Sequence, residues 1–175
     1  MAIADYKQLL GDHSKDTKLN LSSLFSNVEA SGLTADQFYG TALSLVYSLA
    51  DNELIEAVEE EAEGKIEDNV KTAAKTAASL MAMNNVYYRF LHLSSDKQFG
   101  KMPAGLRMNA MANPGVDKAD FELFSLAVSA LNGCGMCIDS HVQTLLKHDV
   151  TAQAIQSSIK LAAVLNAALT ARKLS

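Results

Sequence analysis

Glu122, Cys134, Cys137 and His141 are the residues of this chain whose types and spacing could do chemistry, in the pattern Glu-x11-Cys-x2-Cys-x3-His. The chain has two cysteines, and both lie in this run. In a reducing compartment such a pair is more often redox-active or metal-binding than structural. Asn132-Gly133 is a turn and helix-stop signal, which places Cys134 at the start of the following helix. A helix start carries unsatisfied N–H groups and positive partial charge, and both favour a thiolate. Cys137 is one turn further on, so the two sulfurs share a side and can form a disulfide. His141 follows Cys137 by four residues, the spacing at which helical side chains meet, and can take or share its proton. Glu122 belongs to the preceding helix. Two antiparallel helices joined at Asn132-Gly133 could bring its carboxylate back to orient His141, directly or through a water.

The chemistry available to such a set is peroxide reduction. A thiolate attacks the O–O bond and becomes a sulfenic acid, the second thiol condenses with it to a disulfide and water, and an external dithiol restores the pair. Other readings compete. Cys134, Cys137, His141 and Glu122 could be zinc ligands, although structural zinc sites usually draw on two separated pairs. The pair could serve a non-enzymatic redox-sensing module, or be two inert buried side chains. Glu122 could be a solvated first-turn carboxylate, favoured there by the helix dipole, and His141 a surface histidine. Elsewhere the signals are weaker. His13 and His92 have no evident partners, and His148 lies where a helix end favours a basic residue. Glu59-Glu60-Glu61 with Glu63 reads as a solvated face. Met81, Met83, Met108 and Met111 read as core filling.

The whole chain limits what this site can belong to. Its 175 residues fit one domain, 1–175, with room for a core. A 49 % hydrophobic share with only two prolines is a folded, helix-permitting composition. The net charge of −5 argues against nucleic acid, which needs clustered Lys and Arg. No apolar run is read as reaching the length of a membrane span, and residues 1–7 lack the basic and apolar segments of a signal peptide. The expectation is therefore no membrane association and a cytoplasmic location.

The elements that must position the site read as helices, and β-branched alternation is missing, so the expected fold class is all-α. A short helix is expected over about 4–10. Thr34-Ala35-Asp36-Gln37 resembles a cap for a helix to about Leu49, and Asp51 or Asn52 caps one from about 53 to 63, ended by Gly64. Glu67-Asp68-Asn69 opens a long helix to about Phe90. Residues 94–103 read as a loop, and a short helix near 104–111 is stopped by Asn113-Pro114-Gly115. Asp117 starts the helix that ends near Asn132-Gly133. The Cys-bearing helix runs from about 135 to 147, and Thr151 caps the last, to about Arg172.

An offset of 85 residues superposes the two halves. Lys75 meets Lys160, Ala77-Ala78 meets Ala162-Ala163, Leu80 meets Leu165, and Tyr39 meets Phe124. This predicts two similar helical units, about 34–90 and 117–173; the competing reading is that Ala-rich helices align by composition. Under the same offset Glu122, Cys134, Cys137 and His141 meet Gln37, Leu49, Asn52 and Glu56. The first unit is thus expected to be scaffold, with one site per chain.

Beyond the Glu-x11-Cys-x2-Cys-x3-His pattern, the segments 18–23 (Lys-Leu-Asn-Leu-Ser-Ser), 83–89 (Met-Asn-Asn-Val-Tyr-Tyr-Arg), 105–109 (Gly-Leu-Arg-Met-Asn), 112–115 (Ala-Asn-Pro-Gly) and 121–123 (Phe-Glu-Leu) complete a resemblance over nearly the whole length. The chain resembles the AhpD-type alkyl hydroperoxidases of the carboxymuconolactone decarboxylase-like superfamily. The resemblance implies an all-α fold, a homotrimer, and reduction of alkyl hydroperoxides with no bound cofactor or metal. It implies electrons from NADH through lipoamide dehydrogenase and the dihydrolipoamide of a lipoylated acyltransferase, and an ability to reduce a partner peroxiredoxin. By the same resemblance Cys137 is the peroxidatic thiol that becomes sulfenic acid. Cys134 is the more exposed resolving thiol, which donates a proton and meets the lipoyl dithiol. His141 and Glu122 form the proton relay. One position departs from the pattern: Met136 stands between the cysteines where relatives often carry His.

Overall fold

The computed structural model describes residues 1–175 as eight α-helices joined by turns and short 3-10 segments, with no strand. They are α1 (Ile3–Gln8), α2 (Lys15–Ser26), α3 (Ala35–Leu49), α4 (Asn52–Ala62), α5 (Asp68–Leu93), α6 (Lys118–Leu131), α7 (Gly135–Lys147) and α8 (Ala152–Lys173). The expected all-α class is what the chain adopts. The starts follow from local chemistry. Thr34 and Gln37 form a reciprocal capping box, Thr34 Oγ1 accepting from Gln37 N at 3.2 Å and Gln37 Oε1 accepting from Thr34 N at 3.1 Å. Asp51 accepts from Leu54 N, and Thr151 accepts from Ala154 N.

α3 and α6 form the centre. Every residue from Phe38 to Val46 and from Phe121 to Ser129 is buried, as the nearly unbroken apolar runs of both helices require. Their approach is close: a Cβ placed on Gly40 would stand 2.1 Å from Phe124 Cζ, so only glycine fits the crossing. α5 and α8 cover this centre with apolar residues at helical spacing, Ala73, Ala74 and Ala77 on one and Ala154, Leu161, Ala162 and Leu165 on the other.

Three expectations are corrected. α2 was not anticipated: it is rich in Ser, Thr, Asn and Lys, Leu19 is exposed, and Leu21 is its one fully buried residue, so its periodic signal is faint. The helix expected near 104–111 is only a 3-10 turn, Asn109–Met111, because Pro103 and Gly105, the latter at φ 66°, interrupt the segment. Finally, α8 is long enough to cross a membrane, with a mean hydropathy of 1.2 over its most apolar window. Half of that window is buried inside the protein, as for a core helix.

Candidate active site

The site is built at the α6–α7 corner. The end of α6 closes with two backbone bonds, Gly133 N to Ala130 O and Cys134 N to Ser129 O, with Gly133 at φ 67°. This is the paired arrangement that ends helices on a left-handed residue, which glycine adopts without steric cost. Cys134 follows at once as the N-cap of α7, its sulfur accepting from Cys137 N at 3.4 Å. The same residue therefore ends one helix and begins the next. The geometry brings Cys134 and Cys137 together, and their sulfurs are bonded in a disulfide with Cα atoms 5.3 Å apart.

One turn further along α7, His141 meets Glu122 of α6 across the antiparallel pair. Glu122 is 3 % exposed, and both its oxygens are engaged: Oε2 with His141 Nδ1 at 2.6 Å and Oε1 with Lys118 Nζ at 2.8 Å. Burial alone would raise the Glu122 carboxyl. The hydrogen bonds and charges of His141 and Lys118 outweigh it and hold the group below its ordinary range. An ionised carboxylate only accepts, so His141 Nδ1 carries the donated hydrogen and Nε2 is the nitrogen left to exchange a proton. Glu122 orients His141 directly, with no bridging water required. Lys118 was not anticipated, although it precedes Glu122 by four residues, the spacing that lets such pairs meet. Its ammonium also donates to Met111 O at 2.7 Å, tying the loop before α6 to the carboxylate.

Cys137 and His141 line a cavity of about 320 Å3 between α7, α5 and the 3-10 turn at Asn109–Met111. Four of its nine lining residues are methionines, Met81, Met108, Met111 and Met136. The expected exposure of the two sulfurs is reversed in this disulfide-bonded form. Cys134 is fully buried, at 0 %, whereas Cys137 is 7 % exposed and lines the cavity. The reason is local. Cys134 sits in the corner where α6 ends, its N–H bonded to Ser129 O and its sulfur folded over the first turn of α7, while Cys137 lies one turn out. Met81 is a core residue, as expected, and also reaches the cavity wall, whereas Met108 and Met111 are half-buried and line the cavity; Met83 is half-buried and does not.

The expectation that the first half is only scaffold also needs revision. α5 places Met81, Asn84 and Tyr88 in the cavity wall. Its neighbouring residues brace the corner: Asn85 Nδ2 donates to Ser129 Oγ at 2.8 Å, Asn85 Oδ1 accepts from Asn132 Nδ2 at 3.0 Å, and Arg89 Nη1 donates to Asn132 O at 2.5 Å. Ser129 and Asn132 are residues of the turn that sets Cys134. The remaining candidates lie away from the site. Glu59 accepts from Tyr47, Glu60 pairs with the N-terminus, Glu61 with Lys65 and Glu63 with Lys71. His148 is the C-cap of α7 and is not in the cavity wall. No three His, Cys, Asp or Glu side chains converge in an arrangement that could hold a metal ion.

An all-α fold with a cysteine pair at a helix start, backed by a carboxylate–histidine pair, defines a class. Residues 97–174 match the carboxymuconolactone decarboxylase family, a span that takes in α6, α7 and α8. Similar proteins over nearly the full length are more particular. The chain is 50 % identical over 161 residues to a Coxiella burnetii protein, covering 92 % of this chain and 91 % of that one. It is 51 % identical over 171 residues to a Brucella canis protein (98 % and 96 %), and 50 % identical over 167 residues to one from Maricaulis maris (95 % of each). All three bear the name alkyl hydroperoxide reductase AhpD. The chain belongs to the AhpD family.

Proposed function

We propose that this protein reduces alkyl hydroperoxides through a Cys134/Cys137 thiol–disulfide cycle. The observation that carries the reading is a single one: the cavity that exposes Cys137 is also lined by His141, whose Nδ1 is held by a buried, ionised Glu122. In the reduced protein His141 takes the Cys137 proton. The Cys137 thiolate attacks the terminal oxygen of ROOH, the O–O bond breaks, and the proton returns to the leaving alkoxide as ROH. Cys137 is then a sulfenic acid. Cys134 attacks its sulfur, the S–O bond breaks, and the hydroxyl leaves as water with the Cys134 proton, giving the disulfide.

Re-reduction needs a dithiol. The resemblance favours the dihydrolipoamide of a lipoylated acyltransferase, recharged by lipoamide dehydrogenase and NADH, with a peroxiredoxin as a second client. In the closed form a dithiol entering the cavity meets the Cys137 sulfur. Cys134 then leaves as a thiolate at the N-terminus of α7, where the helix dipole and N–H groups stabilise it. A trimeric assembly and a cytoplasmic location belong to the same proposal.

The test is an intact-mass measurement. Reduced, metal-free protein given one equivalent of cumene hydroperoxide should lose two hydrogens, and either Cys→Ser change should prevent the loss. No change in mass, or a protein that arrives with zinc and unfolds on chelation, would replace the enzyme with a zinc-binding or sensing module.

A further inference from the structure

Asn84 and Asn85 are adjacent on α5, and both are buried, but their amides have different fates. Asn85 is satisfied by Ser129 and Asn132. Asn84, 6 % exposed, has a buried Oδ1 with no hydrogen-bond partner. A buried acceptor without a donor is unfavourable, and an amide is kept in such a place only where something else accounts for it. Three other buried side-chain oxygens lack partners, those of Tyr6, Thr41 and Ser125, and none of these residues lines the cavity that holds Cys137. Asn84 does, on the face of α5 that also presents Met81 and Tyr88 at helical spacing.

We propose that Asn84 is the residue that binds the hydroperoxide group itself, an inference that rests on the peroxidase reading above. A hydroperoxide has an O–H that needs an acceptor and two oxygens that accept. A carboxamide supplies both functions: Oδ1 accepts the terminal O–H, and Nδ2 donates to the oxygen that leaves as alkoxide. Among the other polar groups of the wall, His141 is held at Nδ1 and is needed for the thiol proton, while the Ser140 and Tyr88 hydroxyls each donate and accept through a single oxygen and lack the paired acceptor and donor atoms of a carboxamide. The methionines around it are apolar and adaptable and take the alkyl part without demanding one shape. The site thus reads as a polar anchor for –OOH in the cavity that Cys137 also lines, with a yielding apolar wall for R. This fits compact alkyl and aryl hydroperoxides, because the cavity lies near the low end of the range of roughly 300–1,000 Å3 typical of small-molecule sites.

The test uses the full-length protein, cumene hydroperoxide and dihydrolipoamide as reductant. Asn84→Leu, close in volume, should raise KM by roughly tenfold, the worth of one hydrogen bond to a bound group, and lower kcat less. Its melting temperature should stay the same or rise, because an unpaired polar atom has been removed. A second measurement needs no variant. On the wild type, cumyl alcohol, which offers an O–H, should inhibit about tenfold better than cumene, which has none. An active wild type with unchanged KM in Asn84→Leu, or equal inhibition by the two compounds, overturns the role of Asn84 and leaves the peroxidase reading intact. A lowered melting temperature with unchanged KM marks Asn84 as structural and overturns it too. A wild type that consumes no cumene hydroperoxide with any dithiol overturns both.

Discussion

The protein turns from one helix into the next in a similar way twice, with an oxygen capping the second helix at one corner and a sulfur at the other. At the α3–α4 corner, Ala50 takes the left-handed conformation at φ 55° and Asp51 caps the next helix, its carboxylate accepting from Leu54 N at 2.9 Å. At the α6–α7 corner, Gly133 takes it at φ 67° and Cys134 caps the next helix with a sulfur, at 3.4 Å from Cys137 N. Oxygen is the better acceptor, and sulfur is a weak one. The second corner therefore gives up capping strength and gains a thiol at a helix start, where a thiolate is stabilised. The three-helix runs around the corners are alike in order and length, 15, 11 and 26 residues against 14, 13 and 22. What separates them is chemistry placed at one corner, together with the support it receives from the other run through Asn85 and Arg89.

The comparison can be broken most forcefully at Cys137. Cys137→Ser should lower peroxidase turnover by more than about 1,000-fold, since no other thiol lines the cavity; a coupled NADH assay measures it, and a modest loss would move the chemistry elsewhere. Next comes the support of His141. Glu122→Gln should slow turnover about 100-fold while the far-ultraviolet circular dichroism stays unchanged. It should also change the acid limb of stability. The Glu122 carboxyl is held below its ordinary value of about 4.5 in the folded protein. Its contribution is therefore present above that value and lost as the pH falls below it through the folded value. Urea midpoints followed from neutral into acid pH should fall in the wild type and fall less in Glu122→Gln.

Changes that leave the sulfur alone should act on stability. Gly40→Ala forces a methyl into the Phe124 ring and should cost about 1–3 kcal/mol or more, read from urea unfolding. The smallest effects test the corners against each other. Asp51→Ala should cost about 1 kcal/mol as a lost oxygen cap, whereas Cys134→Ala, compared with reduced wild type, should cost less because the sulfur cap is weaker. Equal losses would erase the distinction drawn between the two corners.

Much of this could be read from residue order alone, for definite reasons. Thr34, Asp51, Asp117 and Thr151 announced four helix starts because caps are short-range chemistry. Asn132-Gly133 announced the corner, and i,i+4 spacing placed His141 beside Cys137. Less accessible were the contacts that cross between runs. Asn85 reaches Ser129 and Asn132, 44 and 47 residues away, and no local periodicity carries that information. Asn84 and Asn85 stood out only as part of the 83–89 segment, because their burial depends on how α5 lies against α6 and α7. Cys134 was expected from the resemblance to be the more exposed thiol, but it is folded into the end of α6. Lys118 was within reach of the i,i+4 rule and was hidden among the charged residues of a first turn.

The central claim is that Cys137, facing the cavity beside His141, is the sulfur that meets the peroxide. The most direct measurement is to treat reduced Cys134→Ser and reduced Cys137→Ser with cumene hydroperoxide in the presence of a sulfenic-acid trap and take intact masses. The account predicts a trapped adduct on Cys137 in Cys134→Ser and none in Cys137→Ser. An adduct on Cys134 in Cys137→Ser, with none in the other variant, would contradict it.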